Sequence, residues 1–314
     1  MKGRILAAVL AGSTLQACGG DGPRLVTRTT AQVNGLARAG EDLVAATHAG
    51  LVRIPVSGGK ATVAGEKEGL AGGMVQVRSV MQWRDGLCLA TGDGVALFSL
   101  KEGRVTRVWR KADGLADSNV RQVIEHRGTL WAGTIFGASR LLPGEKRWRN
   151  YDVARGLPQR HVYRLASDGT TLWASCMGEG LARFDAAKDR WVAVPQERGM
   201  GNRSIYAISI SGDEMWMGTA GGVNLYRPVR GGWDEAVCAN GYTDLCVYAV
   251  LLDRGRLWYG TSYGLVRRAM DTGRQATWRA GQGLAADEVS VLLKDGDTLW
   301  IGTRGGVSRA RLDR

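Results

Sequence analysis

Histidine is nearly missing from the 314 residues, with His48, His126 and His161 as the whole supply. A shared metal centre needs three or four convergent ligands, and these three fall in unrelated places, so neither a metal nor a cofactor is expected. The chain has no Cys-x-x-Cys pair, and no Ser/His/Asp grouping or carboxylate pair stands out, which leaves no catalytic constellation to assign. No helical period follows any glycine-rich turn, which excludes the phosphate cradle of a P-loop or dinucleotide fold. Nothing approaches the roughly 20 consecutive apolar residues that span a bilayer. Acidic residues are in deficit, 30 against 42 Lys and Arg, for a net charge of +12. The arginines are scattered with no dense run, so the reading is a solvated basic surface and no nucleic acid partner.

At the N-terminus, Lys2 and Arg4 flank a short apolar run, Ile5 to Leu10 with Ala11, that ends in Leu15-Gln16-Ala17-Cys18. This ending resembles a lipobox, which implies cleavage before Cys18 and a lipid on its thiol. Residues 1–17 are then a lipoprotein signal peptide, 18–23 a lipidated tether and 24–314 the folded domain. Gly19 stands where an Asp would mark inner-membrane retention, so the expected location is the outer membrane, facing the periplasm. Processing leaves 40 basic and 30 acidic residues, a balance suited to anionic glycans, lipopolysaccharide or acidic proteins. Cys238 and Cys246 bracket a loop of turn formers whose base a disulfide would clip in an oxidising compartment.

Internal repetition is the strongest signal. A run of the type Leu-Trp-x-Gly-Thr ends at Thr47, Thr91, Thr134, Thr219, Thr261 and Thr303, and a fourth copy, LWASC, is counted at Ser175. The spacings are 44, 43, 41, 44, 42 and 42 residues, the length of a four-stranded propeller blade. Ten residues before each run stands a β-branched residue: Val33, Val77, Val120, Val162, Ile205, Val247 and Val289. These open an inner strand A; the Trp run is strand B, a Gly-Leu/Val run is strand C, and a second Trp marks strand D. Trp131, Trp173, Trp216, Trp258 and Trp300 share one place on strand B. Trp109, Trp148, Trp191, Trp233 and Trp278 are read as sharing one on strand D. A residue that recurs in this way fills the same inter-blade space each time, and Trp83 alone is unassigned. Cys88 takes a strand B Trp place and is expected to be a buried thiol.

The last copy stops at strand C. Pro23 to Thr29, which is extended-looking, precedes the first strand A and is expected to supply the missing strand and remove the open edge. The predicted fold is therefore all-β, a seven-bladed propeller of four-stranded antiparallel blades closed by an N-terminal strand.

The motif Asp295-Gly296-Asp297-Thr298-Leu299-Trp300-Ile301-Gly302-Thr303, followed by Gly306-Val307, resembles the two-component regulator propeller family. So do Ala112-Asp113-Gly114-Leu115, Arg155-Gly156-Leu157 and Gln282-Gly283-Leu284. The resemblance implies an extracytoplasmic sensor, in some members for glycans. No kinase, cyclase or DNA-binding segment follows the last copy in this sequence, so a separate signalling partner is expected.

Loops on one face surround the channel mouth, and residues that break the repeat there are the candidates. One place after the β-branched residue come Asn34, Arg78, Arg121, Tyr163, Tyr206, Tyr248 and Ser290. Tyrosines on blades four to six are expected to face Arg78 and Arg121, a set suited to a sugar or carboxylate, or simply to plug the channel. The B to C turns add His48, Asp93, Phe136, Tyr263 and Arg304, with a two-residue expansion at Cys176 to Glu179. The leading expectation is a non-catalytic ligand-binding or sensor module for glycans or other small anionic or polar ligands. Alternatives are a protein scaffold in envelope assembly, as in barrel-assembly lipoproteins, or a lyase resembling streptogramin lyase in fold and built on His48 and Glu179.

Overall fold

A computed structural model describes residues 22–195, 202–237 and 246–312. Among these the strands form seven four-stranded antiparallel sheets, six running A-B-C-D in chain order. The first six blades cover residues 33–64, 77–109, 120–151, 162–193, 205–237 and 247–278. The seventh combines 289–311 with the N-terminal strand Arg24–Arg28. No described helix is long and apolar enough to cross a membrane.

A local device that the repeat encodes closes the B to C turn in six of the seven blades. Thr134 donates from Oγ1 to the Gly137 carbonyl (2.9 Å) and accepts from the Phe136 amide (3.1 Å), which closes the B to C turn from inside. The same two bonds recur at Thr47, Thr91, Thr219, Thr261 and Thr303. The glycine after the turn must stay a glycine: Gly137 has φ 137°, and a Cβ there would lie 2.3 Å from the Tyr151 carbonyl oxygen. The β-branched residue that opens strand A pairs with this threonine, as Val120 does with Thr134. All seven are buried.

The fourth copy corrects the sequence alignment. Val162 pairs with Cys176, so Cys176 takes the threonine place and Ser175 the glycine place. The turn expansion is then one residue, since Cys176 pairs with Gly180 where Thr134 pairs with Gly137. Glycine is usual at Ser175's place because the next blade comes close: at Gly260 a Cβ would meet the Val289 carbonyl oxygen at 2.7 Å. Ser175 fits by turning its hydroxyl onto the same neighbour, donating to the Ile205 carbonyl at 3.1 Å.

Seven apolar clusters fill the seven spaces between blades. Each strand B tryptophan points into the next blade. Trp131 packs on Val162, Leu165 and Leu172, and Trp300 closes the circle against Val33, Leu36 and Leu43. Burying an indole removes about 200 Å² from water, which stabilises the ring by up to about 5 kcal/mol per site. Cys88 stands in this place between blades two and three and is fully buried.

The strand D tryptophans do not share one place. Trp109 and Trp278 lie opposite the residue after the turn glycine, paired with Val95 and Leu265. Trp191 and Trp233 pair three places further along strand C, with Phe184 and Tyr226, and Trp148 precedes its strand at the equivalent place. An odd offset on a strand reverses the face. Trp278 accordingly stacks 5.8 Å from Trp258 of its own blade and turns toward blade seven, whereas Trp191 meets Trp131 of the preceding blade, also at 5.8 Å. Trp233 and Trp278 are half-buried. Trp83 ends strand A of blade two and packs beside the cluster between blades two and three.

The ring closes as the sequence predicts. Arg24–Arg28 pairs antiparallel with Gly306–Arg311, from Arg24 opposite Arg309 to Arg28 opposite Gly306, with one bulge between Leu25 and Thr27.

Candidate ligand site at the channel mouth

All seven A to B pairings slip by one residue at the same point, between the first and third residues of strand A. The skipped residue is a β-bulge, left out of the ladder with its side chain re-aimed. These residues are Asn34, Arg78, Arg121, Tyr163, Tyr206, Tyr248 and Ser290, the set singled out from the sequence, and all seven line one cavity of about 300 Å³. Gln32, His48, Arg164 and Glu288 complete its wall.

The side chains form a continuous arc. Arg121 lies over the Tyr163 ring at 6.0 Å, Tyr163 meets Tyr206 edge-on at 5.5 Å, and Tyr206 meets Tyr248 at 5.7 Å. Arg121 is thus a neighbour of the tyrosines and not placed across from them. Arg164, one residue beyond the bulge, lies 4.9 Å over the Tyr163 ring and donates from Nε to the Tyr206 carbonyl at 2.8 Å. Stitching to the next blade is shared: Asn34 donates to the Val77 carbonyl (3.0 Å), Arg78 to the Val120 carbonyl (3.1 Å) and Ser290 to the Val33 carbonyl. Part of the ring is therefore structural. Among the three arginines Arg121 is the exception, its Nε buried with no partner among the described residues.

The electrostatics are one-sided. Among the described residues Glu288 is the single carboxylate in the wall, and it accepts from Gln32 at 3.0 Å and faces Arg304 at 3.9 Å. No carboxylate pairs with Arg78, Arg121 or Arg164 among the described residues. Burial, then the charge of Arg121, lowers the pKa of Arg78; burial also lowers that of Arg164, with Tyr163 opposing and Arg121 adding to the effect. His48 is lowered by burial and Arg78, and His161 beside the mouth by burial and Arg121. Both imidazoles are thereby biased to the neutral form near pH 7.

Three candidates fall outside the cavity. Phe136 is exposed in its turn with Arg160 stacked at 5.2 Å, Tyr263 is exposed, and Arg304 reaches out to Glu288. Glu179 is not among the lining residues, so the structure does not bring the His48 and Glu179 pair together there. His126 is bonded to Ser167 at 2.8 Å at the far end of its strand, and among the described residues no His, Cys, Asp and Glu cluster is fit to hold a metal. Cys18 and Cys238 lie outside the described residues, as do the lipidation and disulfide assignments that depend on them. Arg164 was missed by the sequence reading. Its signal is that the same place holds Gly35, Ser79, Gln122, Ala207, Ala249 and Val291 in the other copies.

No family model and no curated protein matches the chain. Solved structures do match. The extracellular domain assigned to the hybrid two-component system BT4673 of B. thetaiotaomicron aligns with TM-score 0.79 at 16% identity, over 94% of this chain and 40% of that one. The corresponding domain of BT3049 from the same organism gives 0.74 at 16% identity, over 90% and 40%. PorZ, a surface component of the type-IX secretion system of Porphyromonas gingivalis, gives 0.62 at 17% identity, over 94% and 38%. The chain spans about two fifths of the length of these three structures. At these identities the likeness establishes the propeller fold.

Proposed function

We propose that this chain is an extracytoplasmic propeller, anchored by lipid at Cys18 in the outer membrane, that binds a small polar ligand at the channel mouth without transforming it. One observation carries the reading: seven bulge residues, which the ladder does not need, converge on a half-enclosed cavity walled by three tyrosines and three arginines. Its volume is at the lower end for small-molecule sites, and tyrosine offers both a ring face for a sugar and a hydroxyl. The BT4673 and BT3049 neighbours are extracellular domains of two-component systems, which supports the same reading here, with a separate protein relaying the signal. No nucleic acid, metal or cofactor has a part in it.

The test is a calorimetric screen of polar ligands against wild type and the Tyr206→Ala and Tyr248→Ala variants. Folding is expected to be nearly unchanged in both variants and affinity to fall. Unchanged affinity for an identified ligand would move the site elsewhere, and turnover of the ligand would end the non-catalytic reading. Loss of lipid labelling in Cys18→Ala tests the anchor. A second reading, docking of a protein partner, is favoured by the exposed side chains of Phe136 and Tyr263, 46% and 64% accessible. A partner that co-purifies, and is lost when both are changed to Ser, would select it.

A further inference from the structure

Among the described residues, the cavity at the mouth carries more positive charge than its walls balance. Three guanidinium groups, Arg78, Arg121 and Arg164, share it with Glu288, which is already held by Gln32. Arg78 and Arg164 are fixed by neutral carbonyl acceptors, which position a guanidinium without neutralising it. Arg121 lacks even that: its Nε is buried with no acceptor. The rest of its guanidinium lines the cavity with no acceptor among the described residues, so an incoming anion gains a charge-assisted bond there that no protein group supplies. His161, the residue before strand A of blade four, has its Nε2 buried and unpaired as well, and the charge of Arg121 acts on it. Two donor-capable groups thus flank one end of the tyrosine arc without an acceptor.

Resting on the proposed reading of the mouth as a small-ligand site, we infer that the ligand is acidic. It is a ring of sugar size bearing a carboxylate or sulfate, with its ring against Tyr206 and Tyr248 and its anionic group on Arg121. A planar guanidinium meets a carboxylate through two parallel bonds, and the neutral carbonyls that hold Arg78 and Arg164 leave their charge to act on the same anion. Glu288 stands on blade seven, away from blades three and four, where its charge repels the acid least and fixes the direction in which the ligand lies.

The experiment uses the processed protein and three probes: digalacturonate, its dimethyl ester, which keeps the shape and removes the charge, and inorganic sulfate. Calorimetry is expected to show the acid binding at least about tenfold more tightly than the ester, with the difference shrinking as sodium chloride rises. Arg121→Met is expected to abolish the preference and Arg121→Lys to retain part of it. Tyr248→Ala is expected to weaken acid and ester alike. An ester that binds as tightly as the acid, or a preference that survives Arg121→Met, overturns the inference and leaves the ligand site standing. Sulfate binding without either sugar overturns the ring assignment. Failure of all three probes at millimolar concentration overturns both the inference and the small-ligand reading. The acid and ester comparison is made on wild type, so it holds whether or not any variant folds.

Discussion

Two glycines two residues apart test how the ring is sealed. Gly281 and Gly283 both sit in the loop between blades six and seven with positive φ, 85° and 96°. An alanine at either position takes on the left-handed strain of about 1 kcal/mol. Only one meets an obstacle: nothing lies within 4 Å of a Cβ at Gly281, while at Gly283 it would fall 1.7 Å from the Pro23 carbonyl oxygen and 2.5 Å from its carbon. Real Cβ atoms keep at least 3.0 Å, so the backbone entering the closing strand must retreat by about 1.3 Å. That retreat lifts Arg24 from Arg309, the first pair of the seam. Losing a net bond of about 1 kcal/mol and leaving a partner unsatisfied at about 1–2 kcal/mol brings Gly283→Ala to about 3–4 kcal/mol, against about 1 for Gly281→Ala. Domain stability is typically about 5–15 kcal/mol, so the difference is readable in urea unfolding followed by tryptophan fluorescence. Hydrogen exchange of the amides of residues 24–28 should accelerate in Gly283→Ala alone. Equal destabilisation, or unchanged exchange along that strand, would refute the claim that this contact seals the ring.

Thr134→Val keeps the shape of the turn staple but leaves the Gly137 carbonyl and Phe136 amide without their partner. The expected loss is about 2–3 kcal/mol in urea unfolding, with Thr134→Ser losing about 1 kcal/mol or less, and similar losses would discount the hydroxyl. Burial pushes the Cys88 and Cys176 thiols up to about 12, so a thiol reagent at pH 8 should reach them only as the ring unfolds. The pKa values of His48, His126 and His161 are all lowered by burial, so the folded state binds protons less readily than the unfolded one. Stability is therefore full above the ordinary histidine value of about 6.5 and declines as pH falls through it. The melting temperature should drop between pH 7.5 and 5.5, and replacing the three histidines with Asn should flatten the change. An anion bound beside His48 and His161 favours their protonated forms, so binding of an acidic ligand should take up protons and strengthen as pH falls.

The ring was legible because its causes are local and repeated. A β-branched opener and a turn glycine recur in all seven copies, and a threonine that staples its own turn in six of them, each acting within one hairpin. The closing strand was legible for a different reason: an edge left bare at the last copy had to be covered, and residues 24–28 were extended and unassigned. The strand D tryptophans were misread because identity alone carries no register. Trp109 and Trp191 look equivalent in sequence and stand on opposite faces, and only the pairing with Val95 or Phe184 separates them. In the fourth copy Cys176 stands in the threonine place, and the pairing with Val162, not the sequence run, separates it from Ser175. At the site, the bulge positions were found by their irregularity in a regular frame. Arg164 shows the same irregularity one place later and was passed over. Phe136, Tyr263 and Arg304 are marked in the sequence by loop membership alone, which does not say whether a side chain turns inward.

The residue that slips out of register in every blade separates two demands that usually conflict. Because it takes no part in the ladder, its side chain can be exchanged for asparagine, arginine, tyrosine or serine, as the seven copies already show, while the rungs on either side stay in phase. The mouth is in effect a dial with seven settings mounted on a fixed chassis, and recognition of a new molecule requires resetting a few of them without redesigning the wheel.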